Sequence, residues 1–352
     1  MGRNSGFEIG DCRIGTGEPA FIVAEMSANH HQDFDRARRI IDAAAAAGAD
    51  AIKVQTYTPD TITIDCDEEH FWIGQGTLWE GQTLYELYES AAMPWGWHDA
   101  LQQHAQRRGL VFFSTPFDMT AVDFLANLNV PAYKVSSFEL VDLPLLKYIA
   151  EQKKPVILST GMASLAEVDR AVRTIREAGN EQLILLKCTS AYPAPIEEAN
   201  LRTIRHLAQS FGVPAGLSDH TLGSTAPVAA VVLGAAVIEK HLTLSRDKDG
   251  PDSAFSMEPR GFKAMVDAIR RAEQSMGDIC YGLTEGQKKN RRLRRSLFIV
   301  DDVEAGEPLT PRNTRSIRPG HGLHPRYFSE VVGRRAARNL RRGTPLSWEL
   351  VR

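Results

Sequence analysis

The 352-residue sequence contains only four cysteines, Cys12, Cys66, Cys188 and Cys280, far apart and without a C-x-x-C pair. That spacing suggests neither a disulfide framework nor a thiolate zinc site, and it fits a reducing cytoplasm. No apolar run is long and clean enough to span a bilayer: "IIDAAAAAGADAI" is interrupted by acids and reads as an Ala-rich helix stopped by Gly48. The opening "MGRNSGFEIG" lacks the apolar core of a secretion signal, and Gly6 stands where a myristoylation motif takes Ser or Thr. The expectation is a soluble, cytoplasmic protein that does not engage a membrane. The formal charge of −3 hides an uneven balance, with 16 Lys+Arg against 8 Asp+Glu from Gly277 onward and 25 against 36 before it. A basic tail of this kind suits nucleic acid, an anionic substrate or an acidic neighbouring surface, and composition alone leaves the three open.

With 43% hydrophobic and 24% charged residues, the composition is that of an ordinary globular protein with room for a barrel-sized domain and a smaller one. Eight apolar, β-branched runs alternate with helical stretches: "AFIVAEM", "AIKVQT", "LVFFSTP", "AYKVSS", "PVILSTG", "LILLKCTS", "PAGLSDH" and "AVIEKHLT". Strand-helix alternation demands parallel strands with both faces covered, so eight units predict a (β/α)₈ TIM barrel, with a doubly wound open sheet as the alternative. In "DFDRARRIIDAAAAAGAD", Asp33 begins a helix and Gly48 ends it. Between Tyr57 and Met93 lies an insertion too long for an ordinary βα loop. Its Trp, Tyr and Leu content favours an ordered lid or rim, with a packing excursion equally compatible. After "FKAMVDAIRRAEQSM" the pattern turns polar and basic. The predicted organisation is a barrel over 1–276, a linker over 277–295 and a small domain over 296–352.

Catalytic groups of such a barrel sit where its strands end. Here the strand ends carry Glu25, Lys53 with Gln55, Ser114 and Thr115, Lys134 with Ser137, Ser159, Lys187 and Ser190, Ser218 with His220, and Glu239 with His241. Any one of them could be a helix cap or a snorkelling lysine, but polar groups at all eight ends point to a site. His220 and His241 end the neighbouring seventh and eighth strands, so their imidazoles can approach one divalent ion and leave its other positions open. Lys53 and Lys134, with hydroxyls from Thr115, Ser137, Ser159 and Ser218, suit a small anion such as a phosphate ester bearing a carboxylate. Lys187 offers a different chemistry, a metal-free Schiff-base aldolase, which would leave both histidines idle.

The stretches "AEMSANHHQ", "GADAIKVQTYTPDTIT", "GTLWEGQTLYELYESAAMPWGWH", "STPF", "AYKVSSFE", "LSTGMA", "KCTSAYP", "GLSDHT", "IEKHLT" and "RSIRPGHGLHP" together resemble the sialic acid synthase family over nearly the whole chain. Within that family the resemblance is greatest to the pseudaminic acid synthases, on "QTYTPDTIT" and the long loop after the second strand. It implies a (β/α)₈ barrel followed by a small antifreeze-like (SAF, β-clip) domain. It implies phosphoenolpyruvate and an amino sugar as substrates, with a divalent metal, Mn²⁺ or Mg²⁺, on His220 and His241. Lys134, Ser137, Thr115, Ser159 and Ser218 match phosphoenolpyruvate ligands. Ser190 joins them at a position where the sialic acid synthases carry an asparagine. Glu25, Lys53, Gln55, Glu139, Tyr192 and Asp252 match positions around the sugar and the reacting carbons, where Glu25 or Glu239 could assist water attack. The implied acceptor is 2,4-diacetamido-2,4,6-trideoxy-L-altrose, with N-acetylneuraminate or legionaminate synthesis as the alternative. A domain-swapped homodimer is implied as well, in which Arg318 reaches the sugar in the partner's barrel, and which accounts for the basic tail without nucleic acid. The antifreeze-like tail also prompts a reading from another class, a non-catalytic carbohydrate or ice-binding protein, although such a protein needs neither buried lysines nor paired histidines.

Overall fold

The computed structural model describes residues 6–15, 17–247 and 250–352. The chain divides into two compact units, one ending at Gly277 and the other spanning Asp278–Arg352.

The first unit begins with a hairpin of β1 (Phe7–Ile9) and β2 (Cys12–Ile14), which the sequence reading did not anticipate. Gly10 turns it at φ +59°, and a Cβ there would lie 2.9 Å from a Val111 methyl. Eight parallel strands follow: β3 (Phe21–Glu25), β4 (Ala51–Thr56), β5 (Val111–Pro116), β6 (Tyr133–Val135), β7 (Val156–Ser159), β8 (Leu183–Cys188), β9 (Ala215–Asp219) and β10 (Val237–His241). They close into a barrel with β10 paired to β3, which rules out the open sheet.

Because side chains alternate along a strand, each strand feeds two separate cores. Ile22, Ile52, Phe112, Leu158, Leu185 and Ile238 face outward and pack beneath the helices. Phe21, Val23, Ala51, Phe113, Ile157 and Leu186 face inward and fill the lower barrel, where Ile9 and Ile14 of the hairpin join them. The helices obey local rules as the sequence suggests. Helix Phe34–Ala47 begins with Asp33 accepting the Arg36 N–H and ends at Gly48 in the left-handed conformation.

The segment from Tyr57 to Met93 is ordered. It contains the helices Pro59–Ile62 and Leu84–Ala91, the second opened by a capping box between Thr83 and Glu86.

In the second unit β11 (Ser296–Ile299) pairs antiparallel with β12 (Thr314–Ile317) over a small core of Leu297, Ile299, Val303, Leu309, Val331 and Leu340. Residues 277–295, expected as a linker, include a short exposed helix at Glu285–Asn290.

Candidate active site

Following the inward positions upward, each strand changes character at its C-terminal end. Val23 gives way to Glu25, Ala51 to Lys53, Phe113 to Thr115, Ala132 to Lys134, Ile157 to Ser159, Leu186 to Cys188 and Val237 to Glu239, all of them buried. A charged layer therefore sits on an apolar plug. That order is possible only because its members pair.

Lys53 Nζ lies 2.6 Å from Glu25 Oε2, 3.8 Å from Glu239 Oε1 and 3.1 Å from Thr115 Oγ1. Lys134 Nζ donates to Ser159 Oγ at 2.8 Å and to the Val135 carbonyl at 3.0 Å, and is 3.8 Å from Glu239 Oε1. Ser218 Oγ donates to the same Glu239 oxygen at 3.1 Å, whereas Glu239 Oε2 is buried without a hydrogen-bond partner. The two carboxyls consequently separate. Burial raises Glu25, the lysine beside it opposes this and Glu239 adds to it, so that the group reaches about 7. Burial also works against the charge of Glu239, but Lys134 and Lys53 outweigh it and hold the carboxyl below its ordinary value. Lys53 shows the same contest, with burial overcome by Glu239 and Glu25 so that the ammonium is favoured. For Lys134 burial wins and the value falls.

Beside this layer, Ser137 Oγ accepts the Gly161 N–H at 3.0 Å, and Ser190 Oγ is buried without a hydrogen-bond partner. A Cβ on Gly161 would lie 2.1 Å from Ser190 Oγ and 2.7 Å from Ser137 Oγ, so only glycine leaves this hydroxyl-lined hollow open. Gly161 escaped the sequence reading, although its position two residues after Ser159 in "LSTGMA" is the signal that could have found it.

On the other side, the His220 and His241 rings lie 5.3 Å apart. His220 Nδ1 donates to the Thr189 carbonyl at 3.0 Å, so Nδ1 carries a proton and Nε2 is the nitrogen open to a ligand. His241 Nδ1 is buried without a hydrogen-bond partner, 3.9 Å from Asp252 Oδ2, and burial followed by the nearby cations keeps the ring neutral. Burial works against the charge on His220, but Cys188 and the Thr189 carbonyl outweigh it and raise the ring above its ordinary value, so only His241 is held neutral. Two neighbouring imidazoles, with His220 giving up its extra proton on binding, fit a divalent cation that takes its remaining ligands from water and substrate. Among the described residues no third His, Cys, Asp or Glu completes a closed site. Tyr192 stacks 4.5 Å from His220, Phe255 lies 4.9 Å from His241, and Asp252 Oδ2 accepts the Ala28 N–H at 3.2 Å. Gln55 occupies the inward position after Lys53. Glu139 stands half-buried on the turn after β6, accepting from Ser136 Oγ, and burial raises its carboxyl to about 7.

Two residues from the sequence reading stand apart from this group. Lys187 lies between the inward Leu186 and Cys188, so its side chain leaves the barrel interior and donates to Cys188 O at 2.5 Å and Thr189 Oγ1 at 3.1 Å. A Schiff-base role at this site is therefore excluded by strand parity. Arg318 is exposed in the second unit, just past β12, on a loop that Ser296 pins by donating to Pro319 O at 2.6 Å. Cys188 was overlooked although it falls in phase with Ile184 and Leu186; its Sγ is 3.8 Å from His220 Nδ1. A buried outward pair was also overlooked. Lys240 Nζ meets Asp219 Oδ2 at 2.5 Å and Thr221 O at 2.6 Å, bracing the ends of β9 and β10 from behind.

Fold and site define a (β/α)₈ barrel with a buried cluster of lysines, carboxylates, hydroxyls and two histidines at the C-terminal ends of its strands, together with a separate small β-domain. The sequence pattern of the NeuB family matches residues 40–281 and that of the SAF domain matches 294–352, and the chain belongs to the NeuB family. The pseudaminic acid synthase of Helicobacter pylori is 45% identical to it, covering 94% of this chain and 97% of that one. The N,N'-diacetyllegionaminic acid synthase of Legionella pneumophila is 38% identical, covering 95% of each. Among solved structures, the spore coat polysaccharide biosynthesis protein SpsE of Bacillus subtilis superposes with a TM-score of 0.68 at 34% identity, covering 99% of each chain.

Proposed function

We propose that this protein is a pseudaminic acid synthase, a transferase that condenses phosphoenolpyruvate with 2,4-diacetamido-2,4,6-trideoxy-L-altrose and water to give pseudaminic acid and phosphate. The observation that carries the reading is the charged layer itself. Lys134, Ser159 and Ser218 lie between a hydroxyl hollow at Ser137, Gly161 and Ser190 and the neighbouring rings of His220 and His241. The acceptor assignment is supported by the higher identity to a pseudaminic than to a legionaminic acid synthase.

The hydroxyl-lined hollow would hold the phosphate, and Lys134 with Thr115 the carboxylate end, so that carbon 3 of the enol faces the acceptor's aldehyde. A divalent ion on His220 and His241, Mn²⁺ or Mg²⁺, would supply Lewis acidity at the aldehyde oxygen. Bond formation from carbon 3 to the aldehyde carbon leaves positive charge at carbon 2. Glu239, held ionised by two lysines, would stabilise that charge. Water adds at carbon 2 and gives its proton to Glu25, whose value near 7 suits proton transfer. The tetrahedral centre then collapses: its C–O bond to the phosphorus-bound oxygen breaks with the electron pair going to that oxygen, the carbon 2 hydroxyl gives its proton to the departing phosphate as the ketone forms, and Glu25 returns the first proton of water to the oxygen of the former aldehyde.

The same reading makes the protein a cytoplasmic homodimer, in which the SAF unit of each chain covers its partner's barrel mouth and brings Arg318 to the sugar. Met119, Phe138, Val141, Met162, Leu165 and Ile196 expose apolar surface on the turns and helix starts that follow the barrel strands, and the four cysteines are free. No described helix is long and apolar enough to cross a membrane. A panel of acceptor sugars with phosphoenolpyruvate, followed by phosphate assay and mass spectrometry, tests the reaction. Formation of a nonulosonate from the trideoxy-altrose and not from N-acetylmannosamine is the expected result. The dimer is tested by mixing Arg318→Ala with His220→Ala chains: each should be nearly inactive alone, and random exchange should restore about a quarter of wild-type activity.

A further inference from the structure

The segment from Tyr57 to Met93 leaves the barrel at the end of β4, and β4 and β8 lie on opposite sides of the closed ring. Yet Trp79, midway along that segment, packs 5.6 Å from Tyr192, which follows β8, and its indole Nε1–H donates to the Pro251 carbonyl at 2.9 Å in the loop after β10. The segment therefore spans the barrel mouth as a strap. Tyr192 in turn stacks on His220 and lies 5.1 Å from Phe255, so Trp79 forms the outermost ring of an aromatic wall above the two histidines. Trp79 is only half-buried, so part of its ring is left uncovered beside Tyr192 instead of being hidden in a core.

We propose that Trp79 is a specificity-determining residue for the acceptor: its ring packs against the sugar's apolar end, favouring a methyl at the terminal carbon over a hydroxymethyl. This rests on the reaction proposed above. A hydroxyl pressed against an indole face loses its water without gaining a partner, whereas a methyl group gains contact. Discrimination of this kind by an apolar wall is typically about 10–200-fold.

The test compares 6-deoxy and 6-hydroxy forms of the same diacetamido sugar as acceptors, by phosphate release, in wild type, Trp79→Ala and Trp79→Phe. The expected result is a fall of about 10–100-fold in kcat/KM for the 6-deoxy sugar in Trp79→Ala, with the preference over the 6-hydroxy sugar collapsing and the KM for phosphoenolpyruvate little changed. Trp79→Phe keeps an apolar face without the donor to Pro251, and should retain most of the preference. An equal loss on both sugars, or an unchanged ratio in a folded Trp79→Ala protein, overturns the assignment while leaving the reaction intact. No phosphate release by wild type with either sugar overturns the proposed reaction, and the assignment with it.

Discussion

The lower and upper halves of the barrel interior are built by the same strands with the same two-residue period, and they do opposite things. In the lower half Phe21, Val23, Phe113 and Val237 pack with Ile9 and Ile14 of the hairpin, and each large side chain contributes roughly 1.5–3 kcal/mol by leaving water. In the upper half Glu25, Lys53, Lys134 and Glu239 are just as buried, but burying each ion costs several kcal/mol before pairing offsets it. One step along a strand, from Val23 to Glu25 or from Val237 to Glu239, thus separates a residue that holds the barrel shut from one that needs the barrel to be held shut. The apolar plug gives the charged layer a dry, fixed floor, so its pairings are set before substrate arrives.

The contrast can be broken from either side. The largest effect is expected from His241→Ala, which should lower kcat by roughly 10³-fold by removing several kcal/mol of carbonyl activation, while thermal unfolding changes little. A metal-binding titration on the same variant should show the matching loss of affinity. Phe113→Ala, in the lower half, should show the inverse: about 3–5 kcal/mol less stability in denaturant unfolding, with activity per folded molecule nearly retained. Equal damage to both properties in both variants would mean that the halves are not separable. Lys134→Ala should raise the KM for phosphoenolpyruvate by about 10–100-fold, the loss of a charge-assisted contact of roughly 1.5–3 kcal/mol, with the acceptor's KM little affected. The smallest effect is a pH dependence. Since Glu25 is raised to about 7, its proton-accepting form is lost as pH falls through that value, so kcat/KM should drop tenfold per pH unit below about 7 and level off above it. Glu25→Gln should lower the plateau and remove that limb; a limb that persists would assign it to another group.

Most of this arrangement can be read from the linear sequence because strand parity is a rigid rule. Each apolar run ends in polar residues, and the two-residue period tells which of them share the interior. Applied strictly, that rule also removes Lys187, since Cys188 and not Lys187 is in phase with Ile184 and Leu186. The hairpin at Phe7–Ile14 is not legible because three-residue strands, with Glu8 and Arg13 at their centres, carry too little periodicity. Asp219 and Lys240 look like solvated charges beside two histidines, and only the covering helices make them a buried pair. Trp79 could be recognised as part of an ordered loop, but its landing place opposite β4 depends on long-range closure of the barrel, which no local pattern encodes.

The most direct test of the central claim follows one oxygen atom. Phosphoenolpyruvate labelled with ¹⁸O in the oxygen bridging carbon 2 and phosphorus should be turned over with the trideoxy-altrose acceptor, and both products weighed by mass spectrometry. The reaction derived from Glu25, Glu239 and the Lys134 hollow predicts ¹⁸O in the released phosphate and none in the nonulosonate. Label retained in the sugar acid would show cleavage at phosphorus and contradict the account.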